Sequence, residues 1–285
     1  MLQETMTLPN GVAIPKLALG TWMIPDAEVA EAVKAAIALG YRHIDTAQAY
    51  ENERGVGEGV RTCGVPREQI FVQTKLAAEI KDYESAKAAI EGSLERLGLD
   101  YIDLMIIHSP QPWGEWAAED RFFAGNLAAW KALEEALAAG KLRAIGVSNF
   151  QKQDLDNLLE NATVTPMINQ VLAHIGNTPF DLIGYCQSKG MLVEAYSPIA
   201  HGKILDNPEI GAMATKYGVS VAQLCIRYVL QLDCLVLPKT SKPARMQENA
   251  AVDFEISEAD MAALKAITAK DYGDVSFFPV YSGKV

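Results

Sequence analysis

The sequence lacks the features that would mark it for a membrane, an oxidising compartment or a nucleic acid. No run approaches the roughly 18 consecutive apolar residues that a spanning helix requires. Residues 1–10 carry an acid at Glu4 and no basic stretch ahead of an apolar core, so no secretory signal is expected there. The four cysteines, Cys63, Cys186, Cys225 and Cys234, form no CxxC pair. Thiols scattered in this way fit a reducing compartment, and neither a disulfide framework nor a metal site is expected. Lys and Arg number 25 against 36 Asp and Glu, a net charge of −11. An acidic surface repels phosphate backbones and anionic lipid, which argues against nucleic acid or membrane as a general partner while leaving room for a local basic pocket. There is no low-complexity tract, no linker and no long internal repeat. One domain over 1–285, cytoplasmic and monomeric, is the expectation.

What the sequence does have is an alternation. Apolar residues make up 49% and charged residues 21%, enough apolar material for a substantial core. Short apolar or β-branched runs recur at 16–22, 41–47, 70–76, 101–108, 142–149, 166–171, 191–198 and 234–239. Helix-patterned stretches lie between them, among others at 26–39, 85–97, 127–139, 154–161 and 219–232. Gly40, Gly98, Gly140 and Gly190 stand where such helices would end. Strands alternating with helices imply parallel strands and right-handed crossovers. Eight such units predict a (β/α)8 barrel, although counting alone also admits a doubly wound sheet. Residues 6–17, centred on Pro9-Asn10-Gly11, read as an N-terminal hairpin that could close the barrel floor.

In a barrel of this kind the chemistry sits at the carboxyl ends of the strands. Strand two ends at Asp45, with Tyr50 in the following loop; strands three and four end at Lys75 and His108. The next ends carry Ser148-Asn149, Asn169-Gln170, Tyr196-Ser197 and Lys239-Thr240-Ser241. Asp45 and Lys75 can pair, which a buried lysine needs. A Tyr50 phenol lying against that ammonium would have its pKa lowered and could protonate a developing alkoxide, while His108 orients the carbonyl. An acid with an oxygen-orienting donor and no nucleophile suits hydride transfer to a carbonyl, and the hydride must come from a cofactor.

The cofactor signal is local. Gly55-Val56-Gly57-Glu58-Gly59 has the wrong spacing for a dinucleotide fingerprint and reads instead as glycines that allow close helix packing. Lys239, Thr240, Ser241 and Lys242, followed by Arg245, place three cations and two hydroxyls after strand eight, where barrels hold phosphate. Tyr196 offers a flat face for a ring. The residues alone lead to a phosphate or dinucleotide ligand and no further.

The segment 40–47 through Tyr50, Asn52, Glu53 and Val56-Gly57 is similar to the first signature of the aldo-keto reductases. Leu97 through Asp100, Asp103 and His108 resembles the second, and Leu237-Pro238-Lys239-Thr240 with Arg245, Glu248 and Asn249 the third. The likeness extends over roughly residues 5 to 270 and is nearest in style to bacterial members that reduce 2,5-diketogluconate or methylglyoxal. It implies a catalytic tetrad of Asp45, Tyr50, Lys75 and His108, with Tyr50 as general acid, and NADP(H) lying across the barrel mouth. Ser148, Asn149 and Gln170 would hold the carboxamide and Tyr196 would stack on nicotinamide. Lys239, Thr240 and Arg245 would take the 2′-phosphate, with Glu248 and Asn249 at the adenine; Ser197 and Ser241 complete the expected cofactor set. The substrate, a small carbonyl compound, would meet Trp22, Tyr50, His108 and Trp113.

Two features depart from the family pattern. Ser109-Pro110 follows His108 where the family usually has Trp-Pro. An aromatic loop at 112–126 is free either to pack on itself or to wall the pocket, and a C-terminal tail from 272 could fold over the mouth or dock beside it. Two other readings remain open at this level: a Schiff-base aldolase or isomerase using Lys75, and a non-catalytic NADPH-binding module.

Overall fold

The computed structural model describes residues 1–282. Strands β1 (Thr5–Thr7) and β2 (Ala13–Pro15) pair antiparallel. Their turn is held by backbone bonds between Leu8 and both Val12 and Gly11. Leu8 and Ile14 are buried, and the Asn10 amide donates to the Arg143 carbonyl at 2.8 Å. The hairpin therefore lies across the amino end of the barrel, as expected.

Eight parallel strands follow: β3 (Leu19–Gly20), β4 (His43–Asp45), β5 (Phe71–Leu76), β6 (Leu104–Ile107), β7 (Ile145–Ser148), β8 (Ile168–Leu172), β9 (Leu192–Tyr196) and β10 (Leu235–Leu237). Each pairs with its neighbour in sequence, so the sheet runs in chain order from β3 to β10. Its two edges then meet. The amides of Ala18 and Gly20 donate to the carbonyls of Val236 and Pro238 at 3.0 and 3.1 Å, and that of Val236 donates to Lys16 at 2.9 Å. An open doubly wound sheet is thereby excluded. The strands are shorter than the apolar runs that announce them, because the flanking residues already turn into the loops.

Ten helices surround the strands among the described residues: α1 (Asp26–Ala38), α2 (Glu53–Thr62), α3 (Tyr83–Leu97), α4 (Phe123–Ala138), α5 (Lys152–Asn161), α6 (Phe180–Ser188), α7 (Pro208–Tyr217), α8 (Val221–Leu230), α9 (Pro243–Ala250) and α10 (Glu258–Ala266). Local chemistry sets several ends. The Asp82 side chain caps α3 by accepting from the Ser85 amide, and Ser220 with Gln223 forms a capping box on α8. The glycines of α2 do allow close packing: a Cβ on Gly57 would fall 1.9 Å from the Leu97 carbonyl oxygen.

The barrel interior departs from the usual filling of branched aliphatics. His43, Asp45, Gln73, Lys75, Gln170 and Glu194 are all buried within it. Gln73 of β5 bonds to Glu194 of β9, and Gln170 of β8 to Asp45 of β4. Both pairs join opposite walls, since four strand steps separate the partners in either direction round the sheet.

Candidate active site

A cavity of about 830 Å³ opens at the carboxyl ends of the strands. Its floor is built where β4 and β5 end. Lys75, fully buried, donates from Nζ to Asp45 Oδ1 at 2.6 Å, to the Thr46 carbonyl at 2.8 Å and to the Tyr50 hydroxyl oxygen at 3.1 Å. Burying a lysine without such partners would cost several kcal/mol. Tyr50 sits on a 3₁₀ turn, Gln48–Tyr50, that the neighbouring chain holds in place. Gln48 Oε1 accepts from the Ala77 amide at 2.9 Å, and Asn52 donates to the carbonyls of Thr21 and Ile24, each at 3.0 Å. Glu53 anchors the next turn by accepting from Thr74 and Arg96. His108 follows β6 directly, its ring centroid 5.8 Å from that of Tyr50 at an interplanar angle of 74°. The four residues expected at three neighbouring strand ends are thus brought together.

Electrostatics correct one expectation. The Tyr50 phenol is not lowered by Lys75; burial, and then the charge of Asp45, hold it well above its ordinary value. The ammonium is engaged by the Asp45 carboxylate at shorter range than by the phenol. His108 is pushed the other way, below its ordinary value, by burial and then by the Lys75 charge. Phenol and neutral imidazole therefore face the cavity together.

Beyond the floor the cavity is lined by Ser148, Asn149, Gln170, Tyr196 and Ser197. Asn149 and Ser197 adopt left-handed backbone, φ 61° and 52°, a local strain typical of residues held at functional positions. Ser148 Oγ donates to the Gln170 carbonyl, and Tyr196 donates to Asn149 Oδ1 at 2.7 Å. Asn169, although adjacent to Gln170, faces away and bonds to the Phe150 carbonyl, because successive strand residues point to opposite faces.

After β10 the lining includes Lys239, Thr240, Arg245, Glu248 and Asn249. The last three share one face of α9 at the i, i+3, i+4 spacing. Neither Lys239 nor Arg245 has an ion-pair partner among the described residues, and burial lowers the Lys239 amine. Two unpaired cations in the wall of a cavity in an acidic chain suit a phosphate-bearing ligand, and the flat Tyr196 ring with the amide groups of the lining suits the rest of a dinucleotide. Ser241 is the exception to the expected set: it is exposed and does not line the cavity, because the chain turns there to start α9.

The mouth settles what the sequence left open. Trp22 and Trp113 both line the cavity. The loop after β6 does both things considered for it. It wraps around Gln111, whose side chain bonds to Ala117, Ala118, Asp120 and Arg121, and it presents Trp113 to the wall. The tail folds over the mouth rather than beside it. Tyr272 roots it on His174 and Asn177, and Phe278, Val280 and Tyr281 enter the lining. Phe278 lies 5.7 Å from Trp22 and 5.0 Å from Trp113 between ring centroids, and the Tyr281 hydroxyl meets Ser197 Oγ at 2.9 Å. His201 joins this aromatic group. No residue pattern in the sequence singled it out, or Glu194 and Gln73 in the barrel interior.

Known proteins share this architecture. The aldo/keto reductase family matches residues 16–269. A Bacillus subtilis glyoxal reductase is 44% identical over 268 residues, covering 93% of each chain. A Pseudomonas putida morphine 6-dehydrogenase is 40% identical over 91% of this chain and 89% of its own. A Bombyx mori aldo-keto reductase solved in complex with NADP superposes with a TM-score of 0.84 at 32% identity, covering 98% of both chains. The chain belongs to the aldo/keto reductase family and is an oxidoreductase.

Proposed function

From that membership we propose that this protein reduces aldehydes and small ketones to alcohols with NADPH, Tyr50 giving the proton and His108 orienting the carbonyl. The observation that carries this reading is the bond from Lys75 Nζ to the Tyr50 oxygen at 3.1 Å. Because that oxygen accepts from the ammonium, the phenolic hydrogen points elsewhere, and the cavity lies open to it. Lys75 thus aims the proton, while Asp45 keeps Lys75 in place. The neutral His108 imidazole can donate a hydrogen bond to the same substrate oxygen. Bound in the cavity, NADPH supplies the hydride.

On this reading Gln170, Asn149 and Ser148 meet the carboxamide, Tyr196 covers the nicotinamide ring, and Lys239 with Arg245 pairs with the 2′-phosphate; that all of them line one cavity supports it. Trp22, Trp113 and Phe278 give the substrate end an apolar wall. The use of Lys75 as a Schiff-base nucleophile is disfavoured: its nitrogen is fully buried and enclosed by Asp45, the Thr46 carbonyl and the Tyr50 oxygen, which leaves a substrate carbonyl no approach to it. The free cysteines and the net charge of −11 support a monomer in a reducing, cytoplasmic setting. No helix among the described residues is long and apolar enough to cross a membrane.

The test is loss of reduced-nicotinamide absorbance with methylglyoxal, a benzaldehyde, a keto ester and an aldose. Oxidation with at least one carbonyl, much slower with NADH, is expected. NADPH binding without turnover of any would favour a non-catalytic module instead.

A further inference from the structure

Glu194 is fully buried inside the barrel, and nothing in the reaction scheme uses it. One of its oxygens, Oε1, has no hydrogen-bond partner; the nearest cationic candidate is His43 Nε2 at 3.7 Å. Burial pushes its carboxyl above the ordinary range, opposed by His43. A buried acid with an orphaned oxygen is unfavourable for stability, and an aliphatic side chain would fill the space more cheaply. What Glu194 does make is a pair of bonds on its other oxygen. Oε2 accepts from Gln73 Nε2 at 2.7 Å and from Gln170 Nε2 at 2.9 Å. The same Gln170 nitrogen donates to Asp45 Oδ1 at 3.2 Å.

Those bonds settle which way the Gln170 amide faces. Its NH₂ group is directed at two carboxyl groups, Glu194 within the barrel and Asp45 of the floor. The amide oxygen is then the atom left for a ligand, on a side chain that lines the cavity. Without an acceptor at 194, only the Asp45 contact would oppose a flip, which would present NH₂ to the ligand instead. We propose that Glu194 is a positioning residue for the cofactor: by accepting from Gln170 it keeps that amide's oxygen turned to the nicotinamide carboxamide, a hydrogen-bond donor. The assignment rests on the reading that NADPH occupies this cavity. Oε2 accepts whether or not Oε1 is protonated, so the device works in both ionisation states.

The experiment is fluorescence titration of NADPH on five proteins: wild type, Glu194→Met, Glu194→Gln, Gln170→Leu and Glu194→Met combined with Gln170→Leu. Methionine removes the acceptor. Glutamine can place its amide oxygen where Oε2 was and keep both bonds. The expected result is an NADPH Kd raised roughly tenfold in Glu194→Met, the scale of one lost hydrogen bond with a neighbour left misdirected. Glu194→Gln should stay within about threefold of wild type. Glu194→Met should add nothing in a Gln170→Leu background, because it acts only through Gln170. Glu194→Met also leaves the buried Gln73 NH₂ without its acceptor, so some loss of melting temperature is expected in either background and does not bear on the proposal. A merely structural role would lower NADPH affinity by the same factor whether or not Gln170 is present.

Wild-type affinity in Glu194→Met, or an equal loss in the Gln170→Leu background, overturns the inference while leaving the cofactor reading intact. A wild type that binds no NADPH overturns both. Should Glu194→Met fail to fold, Glu194→Asp withdraws the acceptor by one methylene and is read by the same comparisons.

Discussion

Lys75 Nζ donates to the Tyr50 oxygen across 3.1 Å, and the lysine's remaining N–H bonds go to Asp45 and the Thr46 carbonyl. The tyrosine is therefore an acceptor toward the barrel and a donor toward the cavity. Tyr50→Phe keeps the ring that Lys75 covers at 4.7 Å and removes the hydroxyl, both the proton to be donated and the oxygen that accepts from Lys75. Turnover should fall by about 10²- to 10⁴-fold, the usual contribution of general acid catalysis. NADPH affinity should change by less than about threefold, since no bond to the cofactor is assigned to this hydroxyl. Steady-state rates and a binding titration on the same preparation check both, and comparable turnover would sink the proton-donor assignment.

The pH dependence separates two pictures of the same residue. Burial and Asp45 hold the Tyr50 phenol above its ordinary value, and burial with Lys75 holds His108 below its own. Tyr50 then loses its proton only on the alkaline side of the ordinary tyrosine range, and His108 gains one only on the acid side of the ordinary histidine range. The reductive rate at saturating NADPH should stay level between about pH 6 and 9. A fall centred near pH 7 to 8 would show that the ammonium lowers the phenol after all.

That contrast marks what the sequence could and could not convey. Strand ends are legible because alternation and barrel topology fix them, and so the sequence alone groups Asp45, Lys75 and His108. The direction of the Tyr50 shift is not legible, because it turns on how completely the folded chain buries the phenol and then on the Asp45 charge beside it. Ser241 goes with Lys239 by adjacency in sequence, but the chain bends at Ser241, ahead of α9, and its side chain is exposed outside the cavity. Gln73 and Glu194 carry no local signal, because their bond joins opposite walls of the barrel across 121 positions in sequence. The tail's aromatics gave no clue to their docking, which depends on Tyr272 finding His174 and Asn177.

Two glycines in helices should respond oppositely to the same substitution. A Cβ on Gly57 of α2 would lie 1.9 Å from the Leu97 carbonyl oxygen, a backbone atom that cannot step aside without moving α3. Gly57→Ala should cost about 3 kcal/mol or more. Gly211 of α7 has open space around the corresponding position, and Gly211→Ala should stabilise by about 0.5 to 1 kcal/mol through helix propensity and reduced freedom of the unfolded chain. Urea unfolding of the two variants checks the sign of each, and a Gly57→Ala protein as stable as wild type would refute the close approach of α2 and α3.

Arg245 bears on cofactor choice. It stands on the face of α9 that also presents Glu248 and Asn249 to the cavity, with no carboxylate partner among the described residues. An unpaired guanidinium gains little from a ribose hydroxyl and much from a phosphate, where charge-assisted bonds contribute about 1.5 to 3 kcal/mol. Arg245→Ala should weaken NADPH by roughly 10- to 100-fold and leave NADH within about threefold. Because Arg245 stands on α9 and no bond among the described residues joins it to Asp45, Tyr50, Lys75 or His108, the rate at saturating NADPH should be nearly unchanged, so the loss appears in Kd and KM rather than kcat. Titrating both cofactors against the variant decides it: equal losses would show that the cation steadies the pocket without reading the 2′-phosphate.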